Sequence, residues 1–219
     1  LTDRSNLMPT KARTTPLPTI RRIDLPDFPV QDSSSPVGGR LTHFMENWVM
    51  ITNDQFVLSL INNGYRLKFV QMPPLTSIPM PSHIPSDHSK RKTLFELVDS
   101  LLLKNVIELV SDPQSMGFYN NFFMVQKKDS NKWRAILDLS ILNTYLVKES
   151  FQMETAECVR NMIQPNDWAC SIDLSDAYFH VLIAPSYRKY LRFSIDNTVY
   201  QFRALPMGLS PSGLIFSRT

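Results

Sequence analysis

The sequence predicts an α+β fold, and three observations carry that reading. Apolar runs of strand length are interspersed with segments of helical period. Phe122 to Gln126 and Trp133 to Leu139 flank a polar, cationic tip, the pattern of a β-hairpin. Tyr190 to Phe193 and Val199 to Phe202 form a second such pair, turned at Asp196-Asn197. There is no internal repeat.

Six of the 16 prolines fall within residues 1–40 among Ser, Thr and Arg, which predicts a disordered leader or an inter-domain linker there. Residues 41–93 read as an extension and connector. Leu41, Phe44 and Trp48 recur at helical spacing, and Phe56 to Ile61 begins a second helix that Gly64 ends. Tyr65 to Val70 alternates like a strand. Five prolines from Pro73 to Pro85 are too many for a helix or a central strand. The next helix starts at Ser86 or Ser89 and turns Leu94, Leu97, Val98, Leu101 and Leu102 to one face. Asn105 ends it in the left-handed conformation, where asparagine is second only to glycine. Ile107 to Val110 makes a strand, and Asp112-Pro113 turns out of it. Residues 154–163 form a short helix stopped by Pro165. Trp168 to Ile172 reads as a buried strand. Ser210 is the predicted N-cap of a last helix, with Pro211 at its first position.

At 219 residues the chain can bury a sizeable core, and 43% hydrophobic with 20% charged residues is an ordinary globular mixture. A net charge of +3 does not announce a nucleic-acid partner, so its distribution matters more. Lys127, Lys128, Lys132 and Arg134 stand against Asp129 alone. Arg188, Lys189, Arg192 and Arg203 stand against Asp196 alone. Both patches suit a phosphate backbone, although a solvated strand face has the same composition. Cys158 and Cys170 form no CxxC pair, so a reducing, intracellular setting is the default; cytoplasm and nucleus are not distinguished. No apolar run reaches membrane-span length, and no signal peptide is visible. The chain begins at Leu1 and stops three residues after Phe216, so both ends look cut.

The chemistry-bearing stretch is Ser171-Ile172-Asp173-Leu174-Ser175-Asp176-Ala177-Tyr178-Phe179-His180. A carboxylate at the end of a strand can hold a hard cation such as Mg²⁺ through oxygen. Asp173 and Asp176 alone serve equally as turn caps. Upstream lies the cationic hairpin, and downstream Tyr200-Gln201-Phe202-Arg203-Ala204-Leu205-Pro206-Met207-Gly208-Leu209-Ser210-Pro211. These three blocks, in this order and spacing, resemble the fingers and first palm segment of a retroelement reverse transcriptase over roughly residues 94–219. Residues 37–41, 64–69 and 151–155 look most like the DIRS and Ty3-like retrotransposon polymerases.

The resemblance implies a partial right-hand polymerase, with fingers over 94–170 and the start of a palm over 171–219, incomplete at its C-terminus. The implied reaction is template-directed DNA synthesis, with an RNA or DNA template, a primer and deoxynucleoside triphosphates as partners. The oligomeric state is left open. Phosphoryl transfer of this kind rests on positioning and charge neutralisation by two Mg²⁺ ions. By resemblance, Asp173 is the first metal-binding aspartate and the Leu174 carbonyl adds a ligand. Lys127 and Arg134 hold the triphosphate, near which Asp176 and Ala177 lie. Tyr178 packs beneath the incoming sugar and excludes a 2′-hydroxyl, whereas Phe179 is a core residue. Met207 and Gly208 belong to the turn under the nascent base pair, Trp133 packs, and Asp138 and Asn143 support the fingers.

Ser212-Gly213 stands where relatives have Ala-Pro, and Ser140 replaces a commonly basic residue. Gly213 inside a helix start is expected to cost about 1 kcal/mol relative to Ala. The four histidines show no ligand spacing. The Tyr-x-Asp-Asp hairpin of the family, its thumb and any RNase H domain are absent from the sequence, so the segment alone is expected to be inactive. The alternative reading is a catalytically dead remnant that binds nucleic acid or protein.

Overall fold

A three-stranded antiparallel sheet and a separate two-stranded hairpin carry the fold of the computed structural model, which describes residues 35–128, 132–153, 155–168, 170 and 173–219. The sheet has the order β1 (Ile107–Leu109), β5 (Thr198–Phe202), β4 (Arg192–Ile195). Ile107 lies opposite Phe202 and Phe193 opposite Tyr200. Asp196 and Asn197 both take positive φ, 48° and 62°, which closes β4 onto β5 in the turn their composition predicts. The hairpin pairs β2 (Asn121–Gln126) with β3 (Trp133–Asp138), setting Val125 opposite Arg134. Phe122 stacks on Phe193 with ring centroids 4.3 Å apart, so one aromatic pair joins hairpin to sheet at the centre of the core.

Helix α1 (Met45–Ile51) and helix α2 (Gln55–Asn63) form an N-terminal pair. Asp54 caps α2 by accepting from the Phe56 amide at 2.7 Å, and Gly64, at φ 78°, ends it. Helix α3 (His88–Leu103) buries Leu94, Val98 and Leu101, spaced by four and three residues on one face. Its N-cap is Asp87, between the two serines proposed from sequence, and accepts from the Lys90 amide at 2.8 Å. Asn105, at φ 56°, takes the left-handed exit. Three short helices follow: α4 (Ser140–Tyr145), α5 (Ala156–Met162) and α6 (Ser212–Arg218).

Several expectations change. Tyr65 to Val70 buries Tyr65 and Leu67 alternately, yet makes only isolated bridges, Tyr65 to Ile183 and Phe69 to Leu146, instead of a ladder. The last helix starts one residue later than predicted. Pro211 is its N-cap, and Ser210 donates its amide to Asn143 instead of capping. Gly213 therefore sits in the first turn, where the penalty for helix-interior glycine does not fully apply. The leader expectation for residues 1–34 lies outside the described residues. Residues 35–40 are packed: Gly38 and Gly39 are buried, with the Gly38 amide donating to the Lys104 carbonyl at 2.7 Å. A Cβ at Gly38 would overlap the Asn105 carbonyl, which is why glycine stands there.

Trp168 is 79% exposed, Cys170 is exposed, and neither pairs with a strand. The rest of that run, Ala169, Ser171 and Ile172, lies outside the described residues. The cationic stretch after residue 186 is largely structural. Arg188 forks onto Glu108 at 3.0 and 3.1 Å, and Arg192 is buried on Ser115 and Gln201. Among the described residues no helix is long and apolar enough to cross a membrane.

Candidate nucleotide site

Strand pairing aims the hairpin cations. The Lys127 amide donates to the Lys132 carbonyl at 2.9 Å and closes the hairpin beyond Gln126. Side chains alternate along β2, so Lys127 shares a face with Val125, and Arg134 lies across from Val125. Lys127 and Arg134 thus project from one hairpin face. Both side chains are exposed, and neither makes an ion pair among the described residues.

Opposite them, Asp176 sits at φ 56° and opens a 3₁₀ turn, Ala177–His180. Aspartate tolerates this left-handed conformation better than most residues. Its carbonyl accepts from the Phe179 amide at 2.8 Å, and its carboxylate accepts from Lys104 Nζ at 2.7 Å. The Gly39 amide donates to the Phe179 carbonyl at 2.8 Å, so the N-terminal segment braces the same turn. Lys104, Lys127, Trp133, Arg134, Asp176, Phe179 and Met207 line a cleft of about 260 Å³. Three cations and one carboxylate give its wall a net charge of +2, a surface suited to a polyanion.

The floor is positioned by α4. Hydrogen bonds from the Ser140 hydroxyl and amide hold the Asp138 carboxyl below the usual carboxylate range, and the amide contact is 3.0 Å. That contact anchors the start of α4, which presents Asn143. Asn143 Nδ2 donates to the Gly208 carbonyl at 2.8 Å, and Oδ1 accepts from the Ser210 amide at 2.9 Å. Gly208, at φ 88°, completes the turn that holds Met207 at the cleft.

Four of the residues proposed from sequence therefore meet in one cleft: Lys127, Arg134, Asp176 and Met207. Gly208 and Ala177 flank it through Met207 and Asp176. Tyr178 is half-buried, its ring 5.5 Å from Phe216 at 66°, while Phe179, read as a core residue, reaches the cleft as well as packing on the core. Asp173 and Leu174 are exposed, and Asp173 makes no hydrogen bond or ion pair among the described residues. Lys104 escaped the sequence reading. A lysine at a helix exit reads as dipole compensation, and nothing local ties it to Asp176, 72 residues away.

A family model described as reverse transcriptase (RNA-dependent DNA polymerase) matches residues 125–219, which include the hairpin's second strand, Asp173, Asp176 and Gly208. That segment resembles part of a reverse transcriptase domain. The Pol polyproteins of two equine infectious anemia virus isolates, 1369 and CL22, are each 28% identical to it over 177 residues. That alignment covers 75% of this chain and 15% of each polyprotein, so the chain spans about 15% of the length of those curated relatives. The crystal structure of prototype foamy virus protease-reverse transcriptase shares the fold, with a TM-score of 0.54 at 18% identity. It is matched over 71% of this chain and 20% of its own. The reverse transcriptase fold thus extends beyond the segment matched by the family model.

Proposed function

We propose that this chain forms the fingers and first palm segment of a retrotransposon reverse transcriptase, and that its cleft receives the incoming deoxynucleoside triphosphate. The observation that carries the reading is the convergence of two cations without an ion pair among the described residues, Lys127 and Arg134, on the cleft that holds Asp176 and Met207. Lys127 supplies a point charge and Arg134 a planar fork, and together they orient phosphate oxygens. Gly208 has no side chain to keep a nucleotide from the turn. Residues 37–41, 64–69 and 151–155 support the DIRS and Ty3-like origin.

Asp173 suits Mg²⁺: it is exposed and, among the described residues, engaged by no donor, and the Leu174 carbonyl lies beside it in sequence. One carboxylate, with water and substrate phosphates, fits one such ion. Among the described residues no group of three His, Cys, Asp or Glu gathers to hold a metal, so these residues do not themselves assemble the two-ion site of the reaction. When bound, Mg²⁺ neutralises charge developing on the transferred phosphoryl group. The chain's own side chains bind the triphosphate, orient it and wall the sugar. Template and primer bind through phosphate contacts at the hairpin tip, without reading bases.

Titration of the chain with dTTP and Mg²⁺ tests the reading. Lys127→Ala and Arg134→Ala should each weaken binding by about tenfold, the loss of one charge-assisted phosphate contact. Unchanged affinity in both variants would remove the nucleotide from this cleft. In a full-length polymerase carrying this segment, Asp173→Asn should lower kcat by at least about 10²-fold with template binding and Tm intact.

A further inference from the structure

Lys104 lies outside the segment matched by the family model, yet it faces the cleft that segment builds. Two contacts fix it. Its carbonyl accepts from the Gly38 amide, and its ammonium group meets the Asp176 carboxylate at 2.7 Å. The two side chains are 41% and 30% exposed, and ion pairs this accessible add little to stability. Their place matters more. Asp176 puts a negative charge in the wall of a cleft whose other charged residues, Lys127 and Arg134, are cations. An unneutralised carboxylate there would repel the phosphates that those two attract.

We infer that Lys104 is a positioning residue of the nucleotide site: it neutralises and holds Asp176, so that the Lys127–Arg134 pair meets the triphosphate without a competing anion. This rests on the nucleotide-binding reading above. The brace by Gly38 and Gly39 then makes the N-terminal segment part of the site, because it fixes the backbone of both Lys104 and Phe179.

The test is calorimetric titration of the 219-residue chain with dTTP and Mg²⁺. Lys104→Ala should weaken binding about tenfold and Lys104→Arg less than about threefold, since arginine keeps the charge. Adding Asp176→Asn to Lys104→Ala should return affinity to within about threefold of wild type, a recovery that a merely structural lysine would not give. Asp176→Asn alone, where asparagine tolerates the left-handed backbone, should bind as tightly as wild type or tighter. Unchanged affinity in Lys104→Ala, no recovery in the double variant, or weakened binding in Asp176→Asn would each overturn the inference. If Lys127→Ala and Arg134→Ala weaken binding while Lys104→Ala does not, the nucleotide site stands and this role falls. If wild type binds no dTTP, both fall.

Discussion

Asn143 holds Gly208 by donating from Nδ2 to its carbonyl at 2.8 Å, while Oδ1 accepts from the Ser210 amide at 2.9 Å. One side chain therefore ties the helix after the β2–β3 hairpin to the turn that carries Met207. Asn143→Ala removes two hydrogen bonds at a half-exposed site and should cost about 1–2 kcal/mol in chemical denaturation. Asn143→Asp keeps the acceptor for Ser210 but sets a carboxylate against the Gly208 carbonyl, so it should lose at least as much. Both variants should also weaken dTTP binding through the loosened turn. Wild-type stability in Asn143→Asp would show that the Gly208 contact contributes nothing.

Two glycines should respond in opposite directions. Gly38→Ala drives a methyl group into the Asn105 backbone carbonyl, and no side-chain rotation can relieve the overlap. A loss of at least about 2 kcal/mol is expected in thermal or urea unfolding. At Gly213 the nearest atoms to an added Cβ are Phe151 Cε1 at 3.6 Å and the Tyr178 hydroxyl at 3.8 Å, ordinary contacts. Gly213→Ala should therefore be neutral or stabilise by about 0.5–1 kcal/mol through reduced freedom of the unfolded chain. Equal effects at the two positions would mean that the Gly38 segment is not docked as described.

Much of the fold was legible because its signals are local. The Asp196-Asn197 turn, the Asn105 exit and the alternation around the hairpin tip each depend on neighbours in sequence. What was missed depends on distant partners. Arg188 and Arg192 read as free cations because Glu108 and Ser115, which bind them, lie more than 70 residues away. The Ser86-Asp87-His88-Ser89 cluster offers three competent caps, and only the burial of Leu94, Val98 and Leu101 selects Asp87. Lys127, Arg134, Asp176 and Met207 were found through motif resemblance. Lys104 and the reach of Phe179 needed the tertiary arrangement.

Tyr65 gives an alkaline signature. Burial, with a smaller contribution from the Glu149 carboxylate, pushes its phenol up to about 12. In the unfolded chain it ionises near 10, so the folded state retains the proton over the interval between. Its contribution to stability is complete below about pH 10 and is lost as pH rises towards about 12. Tyr65→Phe has no proton to lose. The unfolding free energy of wild type should fall relative to Tyr65→Phe by about 1 kcal/mol between about pH 9 and pH 11. Parallel curves over that range would mean that Tyr65 is solvated in the folded chain.

The last prediction concerns Tyr178, one residue from the cleft wall formed by Phe179. Its ring meets Phe216 of α6 edge to face at 5.5 Å, and its backbone belongs to the turn that Asp176 opens. A ring packed on Phe216 and carried by that turn resists moving aside for a ribonucleotide's extra oxygen, so it would discriminate sugars by a fixed clash. A soft apolar pocket rejects an added hydroxyl by only about 10²-fold, and a wall fixed by backbone can exceed that. In a full-length polymerase carrying this segment, Tyr178→Ala should raise kcat/KM for ribonucleotides relative to deoxynucleotides by at least about 10²-fold. Tyr178→Phe keeps the ring and should leave the ratio near wild type. Because Tyr178 also packs on Phe216, lost stability in Tyr178→Ala is expected under either role and decides nothing. The ratio decides: if it stays unchanged in Tyr178→Ala, the tyrosine is packing alone and the sugar is selected elsewhere.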